Sequence, residues 1–162
     1  MKVAEASVLL LGEDAAGHDH WLERWGAKLS TARGVVGSGA ELTEAINGTD
    51  GPVVVVAHGH GVERLVEIAD EVVVRGAFLV APHGGNAIEA RDEPLPFPST
   101  LVASRNDPDR SYESAEAMGA RWGSEVMDAG EAGALDSASG HGPWPEGLMV
   151  FARFLSRLPV DN

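Results

Sequence analysis

Alternating strand and helix signals, joined by short connections, predict a doubly wound three-layer α/β fold with a mostly parallel sheet, as a single domain over residues 1–162. Three observations carry this. Continuous apolar runs read as strands buried on both faces. Segments with apolar residues at helical spacing lie between them. A length of 162 residues with 44% hydrophobic content suits one compact core.

Each element has its own reason. "ASVLLLG" (6–12) is an apolar run ended by Gly12. "HDHWLERWGAKL" (18–29) sets Trp21, Leu22, Trp25 and Leu29 on one helical face, with Asp19 near its start. "ARGVVG" (32–37) is a short weak strand, and "GAELTEAIN" (39–47) a short helix closed at Asn47-Gly48. "GPVVVVA" (51–57) is the clearest strand of the chain, and the helix "GVERLVEIADEV" (61–72) follows it. "GAFLVAP" (76–82) and "STLVASR" (99–105) are further buried strands. The amphipathic helix "SYESAEAMGARWG" (111–123), the short strand "SEVMDAG" (124–130) and a closing helix (145–158) begun by Pro145 complete the order. The irregular stretches 83–98 and 129–144 are long enough to be functional loops.

Composition narrows the function. Twelve basic against 25 acidic residues give a net charge of −13, which repels nucleic acid, and no basic cluster offsets it. No apolar run reaches the roughly 20 residues a membrane span needs. The absence of cysteine excludes disulfides and thiolate chemistry. A cytoplasmic, bacterial protein acting on a small-molecule ligand is the expectation, with no nucleic-acid or membrane partner, and the oligomeric state is left open.

The motifs "VVVVAHGHG", "HDHWLERW", "LPFPSTLVASRNDPDRSYESAEAMGARWG" and "DAGEAGALDSASGHGPWPEG" together resemble the small serine hydrolases related to retinoblastoma-binding protein 9, within the α/β-hydrolase superfamily. The resemblance covers most of the chain. It implies an α/β-hydrolase fold with a nucleophile elbow and a Ser, Asp, His triad in that chain order. In the family pattern A/G-H-S-x-G, the serine position falls on Gly59 of Ala57-His58-Gly59-His60-Gly61. The aspartate before proline matches Asp107 of "NDP", and the "GH" pair that supplies the histidine matches Gly133-Ala134. The resemblance therefore implies a degenerate triad, without nucleophile or base, and conventional acyl-enzyme chemistry needs both.

Six histidines, His18, His20, His58, His60, His83 and His141, fall in or beside loops at the carboxyl ends of strands, where such folds bind ligands. His60 stands where the resemblance implies Leu, and His141 where it implies Phe. The main-chain N–H of the residue after the elbow position remains as an oxyanion donor. These features point to acid–base chemistry on a carbonyl compound, whether isomerisation, elimination, cyclisation or hydrolysis by activated water, with no cofactor. His60 is the expected acid/base and Asp107 its orienter or second acid/base. Glu13, His18, Gly59, His83, His141 and Trp144 are expected to line the substrate pocket. The alternatives are a pseudoenzyme that binds a ligand or partner, or a histidine-lined metal site drawing on His18, His60, His83 and His141 with Asp107 or Asp14. Helical metal-binding spacings are absent, so no metal is assigned. The glycines of "HGHG" and "PHGGN" are read as tight-turn residues and not as a phosphate cradle.

Overall fold

The computed structural model describes residues 1–2, 5–12, 21–83, 85–136 and 144–159. Its elements run β1 (Ser7–Leu11), α1 (Trp21–Lys28), β2 (Ala32–Gly34), α2 (Gly39–Asn47), β3 (Val53–His58), α3 (His60–Ile68), β4 (Gly76–Val80), α4 (Asn86–Ala90), β5 (Ser99–Ala103), α5 (Tyr112–Trp122), β6 (Glu125–Asp128) and α6 (Pro145–Arg157). The sheet order is β2-β1-β3-β4-β5-β6 and every pairing is parallel. This is the α/β arrangement expected from the alternating pattern.

The two-residue period of each strand divides the core between the faces of the sheet. Leu9, Leu11, Val55, Ala57, Leu79 and Leu101 pack with α2, α3, α4 and α5 through Leu42, Leu65, Ile88 and Met118. Val8, Leu10, Val54, Val56, Phe78 and Val102 pack on the opposite face with α1 and α6 through Trp21, Trp25, Phe151 and Phe154. Local signals fix the helix ends. Ser38 and Glu41 close a capping box on α2, Ser111 caps α5, and Gly123 ends α5 in the left-handed region at φ 71°.

Two expectations change. The stretch 83–98 is not wholly irregular, because Asn86–Ala90 forms α4, with Ile88 fully buried against the sheet. The central strand also extends one residue further than its apolar run, so His58 belongs to β3 rather than to the loop after it. Among the described residues, no helix is long and apolar enough to cross a membrane.

Candidate functional site

The strand order reverses direction around β1 and β3, the place where open α/β sheets bind ligands beyond the strand ends. There the chain turns from β3 into α3 through Gly59, at φ 59° and ψ −122°. A side chain at this position strains the backbone, and glycine removes that strain. Gly61 permits the close approach that follows, since a Cβ there would stand 2.5 Å from the Leu11 carbonyl oxygen. The strand, sharp turn and helix of a nucleophile elbow are all present, with glycine at its apex. His60 is the first residue of α3, and among the described residues its main-chain N–H donates to no acceptor, as is usual in a first helical turn.

The elbow is tied to the segment after β4. The Gly59 N–H donates to the Val80 carbonyl at 3.0 Å, and the His83 N–H donates to the Gly59 carbonyl at 3.2 Å. His83 is thereby fastened beside the apex. Its ring meets that of His60 edge-on, with centroids 5.0 Å apart. Its Nε2 lies 2.8 Å from Asp109 Oδ2, in a direction that makes the contact an electrostatic pairing and not an aligned hydrogen bond. Asp109 comes from the loop after β5, where its N–H donates to Asp107 Oδ1 at 2.9 Å. This Asx-type turn folds both carboxylates back toward His83. Burial pushes the Asp107 carboxyl above its ordinary range, and the charges of Asp109 and Asp136 add to that. The Asp109 N–H and His83 pull the other way.

His60, His83 and Asp109 open onto a polar cleft of about 670 Å³, also lined by Asn86, Glu89 and Arg110. Arg110 is fully committed in the wall. It donates to the Pro82 carbonyl, to Ser114 Oγ and to Glu89 Oε1 at 3.3, 2.9 and 2.6 Å. Asp109, Arg110 and the α4 residues were not among the expected site residues. The D-x-D spacing of "NDPDR" was the available signal for Asp109; nothing in the pattern of residues 83–98 marked α4.

The other expected residues fall as follows. His58 is buried, not on the rim; its Nε2 lies 2.8 Å from the Ala134 carbonyl oxygen and its ring packs edge-on against Trp21. Trp144 packs on Trp21 and stacks on Trp25, and lines a second, more apolar cleft of about 340 Å³ with Val102, Met127 and Val150. Glu13, His18 and His141, with His20 and Asp14, lie outside the described residues. Ala134 is buried in a loop held by three side chains besides His58: Ser104 Oγ accepts from the Ala132 N–H, Asn106 Oδ1 accepts from the Gly133 N–H, and Trp21 Nε1 donates to the Leu135 carbonyl.

Comparison with known proteins agrees with this fold. A YdeN-like hydrolase from Pectobacterium atrosepticum superposes with a TM-score of 0.88 at 24% identity, over 97% of this chain and 95% of that one. The ydeN gene product of B. subtilis superposes at 0.71 with 13% identity, over 94% of this chain and 100% of that one. An esterase domain from a Rhodothermus marinus protein superposes at 0.73 with 12% identity, over 99% and 89%. At these identities the likeness establishes the α/β-hydrolase fold. No match was found among curated protein sequences. The family profile described as "Serine hydrolase" matches residues 7–153, nearly the whole chain, and the chain therefore belongs to the serine hydrolase family.

Proposed function

We propose that this chain acts on a small carbonyl compound through His/Asp acid–base chemistry, on a serine hydrolase scaffold whose own nucleophile and base are gone. The resemblance to hydrolases related to retinoblastoma-binding protein 9 implies triad positions at Gly59, Asp107 and Ala134. Neither glycine nor alanine supplies a reacting group. The observation that carries the reading is the approach of the His60 and His83 rings to 5.0 Å beside the elbow apex, at the mouth of a polar cleft.

In this reading the substrate carbonyl oxygen faces the His60 main-chain N–H, which stabilises the negative charge that develops there. The His60 imidazole takes or returns the proton, the role imidazole side chains most often fill in general acid–base catalysis. Asp109 stands on the His83 side of the cleft, its Oδ2 2.8 Å from His83 Nε2, with Asp107 next to it. The reaction is a proton transfer at carbon next to a carbonyl, leading to isomerisation, elimination or cyclisation, or the attack of a water that His60 deprotonates.

The test is solvent-deuterium incorporation into a panel of enolisable ketones, followed by NMR, together with hydrolysis of simple lactones and aryl esters. Wild-type protein is expected to turn over at least one class. His60→Leu, which restores the side chain that the resemblance implies, is expected to lower that rate by about 10²–10⁴, the usual contribution of a general acid or base. Asp107→Asn is expected to reduce it as well. Unchanged rates in both variants would remove the acid–base role. Binding without turnover in any class would favour a pseudoenzyme.

A further inference from the structure

The loops after β4 and β5 bring together a set of groups that neither the triad positions nor the acid–base reading uses as a unit. One ligand atom from each of His83, Asp107 and Asp109 lies within 4.8 Å of the others. His83 and Asp109 line the cleft, Asp109 exposed and His83 partly buried, and the partly buried Asp107 stands beside them. From this placement we infer that His83, Asp107 and Asp109 form a binding site for a divalent first-row transition metal ion.

The chemistry of the donors selects the class of ion. Two carboxylate oxygens and one imidazole nitrogen make a mixed set that suits zinc or manganese. Magnesium and calcium favour oxygen alone. Ligand bonds of about 2.0–2.2 Å place neighbouring donors of a tetrahedral ion roughly 3.4 Å apart. Separations as wide as the 4.8 Å limit therefore close by about an ångström when the ion enters, while the 2.8 Å His83–Asp109 pair widens by about half an ångström. The loops allow it. Asp109 is half exposed, and its carboxylate rests against His83 in a contact that is close but misaligned. An ion placed between them replaces that contact with two direct bonds.

Charge points the same way. Asp107 and Asp109 stand together, and among the described residues no lysine or arginine pairs with either. Arg110, the nearest cation in sequence, spends its guanidinium on Pro82, Ser114 and Glu89. Two carboxylates beside one imidazole hold net negative charge that a divalent cation neutralises. The cleft leaves room for water on the remaining coordination positions, so the site is open on one side in the manner of catalytic metal sites. The sequence alone pointed to histidines as the ligands, whereas the structure joins one histidine to two aspartates.

The site is tested by isothermal titration of the untagged full chain with Zn²⁺, with Mg²⁺ as the control, and by visible absorption after addition of Co²⁺. The expected result is one Zn²⁺ per chain, no comparable Mg²⁺ binding, and Co²⁺ d–d bands that change in His83→Gln. Asp107→Asn/Asp109→Asn, checked for folding by circular dichroism, is expected to weaken Zn²⁺ binding by about 100-fold or more, above the loss typical of outer-shell changes. Wild-type protein without stoichiometric Zn²⁺ binding would overturn the inference. So would equal binding by the double variant, which would assign the ion to other histidines. The outcome is separable from the acid–base reading. A chain that turns over substrate but binds no zinc retains the role of His60 and loses this site. A chain that binds zinc with unchanged turnover in His60→Leu does the reverse.

Discussion

The turn at Gly59 and the loop around Ala134 are the two places where the family resemblance puts the serine and the histidine, and they keep their backbones for different reasons. The elbow is an unusual turn occupied by the residue that suits it: φ is 59° and the residue is glycine. The loop is an unusual turn occupied by residues that do not. Leu135 stands at φ 57° with a buried side chain, and Trp21, Ser104 and Asn106 fix it through hydrogen bonds. His58 holds the carbonyl next to it. In the elbow local preference and fold agree. In the loop the surrounding core overrides local preference. Both conformations persist with glycine at one position and alanine at the other, so packing is enough to hold these two backbones.

The comparison breaks most severely from the loop side. Trp21 is fully buried, contacts Trp25, Trp144 and His58, and donates to the Leu135 carbonyl. Trp21→Ala is expected to cost about 3–5 kcal/mol in urea unfolding, the range for deleting a large buried aromatic. A loss under about 1 kcal/mol would show that the loop does not depend on this anchor. The elbow side gives a smaller effect. Gly59→Ala adds a methyl group at a backbone angle that side chains rarely adopt, and is expected to cost about 1–3 kcal/mol by the same measurement. Smaller still is His60→Leu at the exposed mouth of the cleft, expected to stay within about 0.5 kcal/mol of wild type while turnover falls. That combination separates the residue that works from the residues that hold it.

The fold was legible because its cues are local and repeated. The valine run, the glycine turn and the following helical spacing marked β3 and α3 within a few residues. The short α4 was missed for a physical reason. Five residues give too little periodicity to read, and the glycines before it and prolines after it resemble a loop. His58 was readable and misplaced. It continues the alternation of Val54 and Val56, which predicts the face shared with Trp21 and not the pocket. Spacing does not single out Asp109, because its approach to His83 depends on two loops meeting in space. The convergence of His60 and His83 was anticipated as a tendency of the strand ends, but their edge-on contact required the hydrogen bond from His83 to the Gly59 carbonyl.

The central claim is that the elbow and the loop still form a catalytic frame from which two side chains have been removed. It is tested most directly by fluorophosphonate labelling with peptide mass spectrometry. Wild-type protein, Gly59→Ser and Ala134→His are each expected to leave the 53–69 peptide unlabelled, because triad members act as a unit. The double variant Gly59→Ser/Ala134→His is expected to carry the adduct on residue 59, restoring a nucleophile and base in the family order beside Asp107. A folded double variant that does not react would contradict the claim, as would an adduct on the wild-type elbow peptide.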